Sequence, residues 1–107
     1  MVAETEMRMS FEDMRENAAN ATILLKSMAN ETRLLILCQL ANGERSVSEL
    51  LDVIPLGQSA LSQHLAILRR ERLVSTRRDG QLVYYSLSSM EVRAIIDTLY
   101  RLFCECD

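Results

Sequence analysis

The side chains able to do chemistry in this chain are few. They are three cysteines (Cys38, Cys104 and Cys106), one histidine (His64) and a run of arginines past the middle of the sequence. Thiols serve as soft metal ligands, as redox partners or as small apolar side chains. The leading MVAETEMRMS is acidic and lacks the apolar core of a secretory signal. The longest apolar run, Leu34 to Cys38, is far too short to span a bilayer. A cytoplasmic protein with no membrane partner is expected, and in a reducing compartment its cysteines are not permanent structural bridges. There is no glycine-rich phosphate loop, no nucleophile and base at a telling spacing, and no metal cluster. Enzyme activity, metal and cofactor are therefore all expected to be absent.

The charge is unevenly placed. The 107 residues carry a net charge of −3, yet residues 57–78 hold five arginines against one acid, Glu71. The segments on either side are acidic. A basic patch on an acidic body suits docking onto phosphate at one place.

Helical and strand periodicities show how that patch is held. Ser10 and Asp13 open a first helix, with Phe11, Met14, Ala18, Ala21, Leu25 and Met28 at helical spacing. Asn30 caps a second helix and Gly43 stops it, and its centre, Leu34 to Cys38, is apolar nearly all round, as for a central helix. Ser46-Val47-Ser48-Glu49 is a capping box opening a short third helix, which Pro55 and Gly57 break. A fourth helix is expected from Gln58 to about Arg72, with Leu61, Leu65 and Leu68 on one stripe. Two short helices about a tight turn form a helix-turn-helix. Residues 74–78 and 82–87 are β-prone and flank Asp79-Gly80, which predicts a hairpin wing. Ser88 with Glu91 is expected to cap a last helix reaching about Cys104. Its apolar residues cover about 160° of the helix, more than the ~100° that one core requires, so a second partner surface is implied. The whole, residues 1–107, reads as one mainly α domain with a β-hairpin wing. Its helix-turn-helix lies at about 46–72, its wing at about 73–87 and its outer helices at about 10–28 and 89–104.

On the fourth helix the side opposite the leucines carries Gln58, Ser59, Ser62, Gln63, Ala66 and Arg70. Short polar groups at the N-terminal end of such a helix can read base edges in the major groove. Alone they would equally fit a solvated face; the arginines that follow shift the reading to double-stranded DNA. Arg69, Arg70 and Arg72, with Arg77 and Arg78 on the wing, are expected at phosphates or the minor groove. His64, at the edge of the leucine stripe, is read as a packing or phosphate-contacting residue rather than a metal ligand.

The residues from Leu25 to Leu87 resemble the ArsR/SmtB family. The resemblance rests on Ser27-Met28-Ala29-Asn30-Glu31-Thr32-Arg33-Leu34, Ser48-Glu49-Leu50, Gln58 to Leu65 and Val83-Tyr84-Tyr85. It implies a winged helix-turn-helix of order α-α-α-α-β-β-α, a homodimer through the first and last helices, and binding to imperfect inverted repeats in AT-rich promoters. The metal-sensing patterns of the family are missing. Ser46-Val47-Ser48 stands where arsenic and cadmium sensors carry Cys-x-Cys, and the last helix, with Asp97, has no histidine. Cys38 with Cys104, set in Leu37-Cys38-Gln39-Leu40 and Leu102-Phe103-Cys104, resembles the dithiol-sensing subgroup. That likeness implies a disulfide or polysulfide link formed in response to oxidants or reactive sulfur, with Cys106 as a possible accessory thiol. The other reading of Cys38 is a small core side chain. Two alternatives accompany this one: a constitutive activator of virulence genes that competes with a nucleoid silencing protein, and a winged-helix protein-interaction module.

Overall fold

A computed structural model of the chain describes residues 10–104, so Cys106 lies outside the described residues. The order is α1 (Phe11–Met28), α2 (Glu31–Ala41), β1 (Arg45–Ser46), α3 (Val47–Val53), α4 (Gln58–Arg70), β2 (Val74–Asp79), β3 (Leu82–Leu87) and α5 (Met90–Phe103). This is the expected winged helix-turn-helix with one addition. The two-residue strand β1 pairs antiparallel with β3, making a three-stranded sheet of order β1-β3-β2.

The helix starts are set by side chains that satisfy first-turn amides. Ser10 accepts from the Asp13 amide, Asn30 from the Arg33 amide, and Ser46 and Glu49 form the reciprocal capping box of α3. The cap of α5 is Ser89, not Ser88: Ser89 accepts from the Val92 amide and its hydroxyl donates to Glu91. Ser88 is used elsewhere, its hydroxyl donating to the Arg72 carbonyl and its amide to that of Leu73. α4 stops at Arg70, two residues short of the expected end. The amides of Arg72 and Leu73 turn back onto the carbonyls of Arg69 and Leu68, with Arg72 left-handed at φ 67°. The wing turns through Gly80-Gln81, and Gly80 takes the positive φ (66°) that such a tight loop requires.

The core gathers Ile36, Leu37 and Leu40 of α2, Leu50 of α3, the α4 stripe Leu61, Leu65 and Leu68, and Val92 and Ile96 of α5. α2 runs through the centre, but its apolar girdle is not all interior. Leu35 and Cys38 are exposed on the side away from the core, so Cys38 is not the buried packing residue that one reading allowed. α1 buries only Ser27 and Met28 at its C-terminal end. Most of its 18 residues, about 27 Å of helix, stand off the domain. No helix among the described residues is long and apolar enough to cross a membrane.

Candidate nucleic-acid interface and thiol pair

α4 is held by its three buried leucines, which turn the opposite side outward. Gln58, Ser59, Ser62, Gln63, Arg69 and Arg70 are all exposed there. Gly57 at the N-cap brings no side chain to the first-turn amides. The outer end of the helix therefore offers amide hydrogens as well as polar side chains, an arrangement that suits anionic or hydrogen-bonding ligands. Arg70 also lies 3.3 Å from the Glu71 carboxylate. His64 is half-buried rather than presented outward. Its Nδ1 is 3.5 Å from Nη1 of Arg33, whose Nε donates to the Ser27 carbonyl at 2.6 Å. His64 thus belongs to the junction of α1, α2 and α4.

The wing divides its two arginines. Side chains alternate across a strand, and residues directly opposite share a face. Arg78 pairs with Val83 and Thr76 with Tyr85, on one face. Tyr85 shares a shallow groove with Ser62, Ala66, Arg69 and Arg70, so that face is turned toward α4. Arg77 pairs with Tyr84 on the other face. There its Nε lies 3.1 and 3.0 Å from the two carboxylate oxygens of Glu44, and its Nη2 also donates to Glu44. Its guanidinium carbon sits 4.7 Å from the Tyr84 ring centroid. The hydrogen bond from Arg77 holds the Glu44 carboxyl below its usual range. The two arginines, expected together at DNA, are thus brought to opposite sides of the hairpin.

Cys38 and Cys104 come together although they are far apart in sequence. Both line an open cleft of about 600 Å3 between α2 and α5, walled by Leu35, Gln39, Ile96, Asp97 and Tyr100 among others. Cys104 sits at the C-cap of α5, its amide donating to the Tyr100 carbonyl. Partial burial in the cleft, and secondarily the charge of Cys104, raise the pKa of Cys38 above its ordinary value. At neutral pH Cys38 is therefore a protonated thiol. Asp97 and the two cysteines do not amount to a metal site: no three His, Cys, Asp or Glu side chains converge in that way among the described residues.

Against known proteins, residues 30–76 match the model of the "Bacterial regulatory protein, arsR family". The chain is 54% identical over 99 residues to the transcriptional activator HlyU of Vibrio cholerae, covering 92% of each. It belongs to the ArsR family. Reduced HlyU from Vibrio cholerae superposes with a TM-score of 0.86 at 56% identity, over 89% of this chain and all of that one. The transcriptional repressor BigR from Xylella fastidiosa does so at 0.82 and 38% identity, over 92% of this chain and all of that one. This ArsR-family protein is accordingly a DNA-binding transcriptional regulator and not an enzyme.

Three contacts near the wing and the cleft were not foreseen from the sequence. Glu44 and Tyr84 hold Arg77, and Arg93 of α5 donates to the Ala41 carbonyl at the end of α2, 3.3 Å away. The charge pattern contained Glu44, but nothing local paired it with an arginine 33 positions on.

Proposed function

We propose that this regulator acts in the cytoplasm as a homodimer, and that the thiol state of Cys38 and Cys104 sets its affinity for DNA. Support for the dimer comes from the apolar residues that the protomer leaves open, Phe11, Met14, Ile23 and Leu25 of α1 with Tyr100, Leu102 and Phe103 of α5. So many large apolar side chains left open on two helices mark an interaction site. Two α4 helices about one DNA turn apart would meet an imperfect inverted repeat in an AT-rich promoter. Gln58, Ser59, Ser62 and Gln63 would face base edges. Arg69, Arg70 and the wing arginine Arg78, with His64 behind them, would serve phosphates or the minor groove, while Arg77 is engaged by Glu44.

The observation that carries the thiol reading is the cleft shared by Cys38 and Cys104 between the central helix and the end helix. One thiol reacts first, as its thiolate, and the other closes the link. With hydrogen peroxide as oxidant, the two thiols give up two electrons and two protons. One S–S bond and two waters form. A polysulfide link would place additional sulfur atoms between the same two positions. Either link ties α2, packed against the reading head, to α5, and changes how the two heads are set for their half-sites. Cys106 would be an accessory thiol.

The test is Cys38→Ser. The variant should bind a promoter fragment as tightly as the reduced protein and keep that affinity after peroxide. Loss of DNA binding by the reduced variant would overturn the thiol assignment.

A second reading is favoured by the 54% identity to a transcriptional activator. In it the protein binds DNA constitutively and relieves silencing by competing with a nucleoid protein. Equal affinity of reduced and oxidised protein would support it.

A further inference from the structure

The Glu44–Arg77 pair has no place in either scheme for reading DNA. It joins the turn between α2 and β1 to the middle of the wing, and the carboxylate engages one edge of the guanidinium through both Nε and Nη2. Tyr84 supports the guanidinium from below. A fork of this kind restricts a long side chain to one geometry. Arg77 faces away from α4 while its neighbour Arg78 lies on the α4 side, so the two cannot serve one DNA surface equally. The base of the wing packs on the core through Val74, Tyr85 and Leu87, and β1 pairs with β3 at Tyr84 and Tyr85; the Glu44–Arg77 pair adds a side-chain tie further along β2.

We propose that Glu44 is a positioning residue for DNA binding. It clamps Arg77 against Tyr84 and fixes the angle of the β2–β3 hairpin, so that Arg78 is presented beside α4. Arg77 acts as a brace and Arg78 as the phosphate contact. An alternative occupant for the Arg77 fork is a DNA phosphate, with Glu44 holding its place in the free protein. The two roles differ in their salt dependence, because only a residue that neutralises a phosphate releases counterions.

The test uses the full chain with Glu44 and Arg77 replaced together, E44Q/R77M, which removes the brace and leaves the net charge unchanged. DNA affinity is measured by anisotropy across a salt series, and amide hydrogen exchange reports on the hairpin. The expected result is binding weakened several-fold, a log–log salt slope equal to that of the unaltered protein, and faster exchange over residues 74–87 only. Arg78→Met should by contrast flatten the slope by about 1.8 for a dimer, one phosphate per protomer. A flattened slope in E44Q/R77M would make Arg77 itself the phosphate contact and overturn the proposal. So would unchanged affinity, or unchanged exchange in the hairpin.

Discussion

Phe103 gives the sharpest test of the proposed dimer. It ends α5 with 80% of its surface open in the single protomer. A phenylalanine offers about 200 Å2 for burial, so about 160 Å2 remains to be covered. At about 25 cal/mol per Å2, covering it contributes about 4 kcal/mol per copy. Truncation to alanine forfeits about 2.5 kcal/mol of that, and a two-fold dimer loses it twice. Association converts buried area into affinity incompletely, so about 3 kcal/mol is the expected net loss. The dimer dissociation constant of Phe103→Ala should therefore rise about a hundredfold. Sedimentation velocity over a dilution series reads this directly. Because Phe103 is outside the protomer core, the thermal midpoint extrapolated to the monomer should hardly move. A variant that dimerises within threefold of the unaltered protein would refute an interface at the end of α5.

Other outcomes follow from single features of the structure. Ser46→Ala removes half of the α3 capping box and should cost about 1 kcal/mol, lowering the melting temperature by about 4–8 °C. A shift under about 2 °C would show that Glu49 alone sustains the cap. Alkylation of Cys38 should go on accelerating with pH beyond the range of an ordinary thiol. Cys104→Ser should bring that midpoint down only part of the way, since burial is the larger cause of the shift. A raised thiol pKa in the folded state favours the protonated form. Its contribution to stability is whole below the unfolded pKa and is lost as pH rises through the folded value. A Cys38 midpoint at or below that of a free thiol would contradict this.

Much of the fold was legible because its signals are local. The caps at Ser10, Asn30 and Ser46 each pair with an amide three residues on, and the α4 leucines repeat at helical spacing. Choosing between Ser88 and Ser89 was beyond such signals, since what occupies Ser88 is a carbonyl on the far side of the hairpin. Strand β1 was invisible for the same reason: two residues acquire strand character only by meeting Tyr84 and Tyr85. The apolar girdle of α2 looked uniformly interior, but part of it faces a cleft and leaves Cys38 exposed. Charge counting found the basic segment and not its internal division, in which one arginine is tied to Glu44 and its neighbour turned toward α4.

The most direct measurement is the affinity of the full-length protein for a promoter fragment from beside its own gene. It is read by fluorescence anisotropy at fixed salt for reduced, peroxide-treated and persulfide-treated samples, with mass spectrometry of the cysteines on each. A large loss of affinity, in step with a Cys38–Cys104 link in the spectrum, is the predicted result. Equal affinity in all three states, with the link present, would contradict thiol control and leave a constitutive DNA-binding regulator.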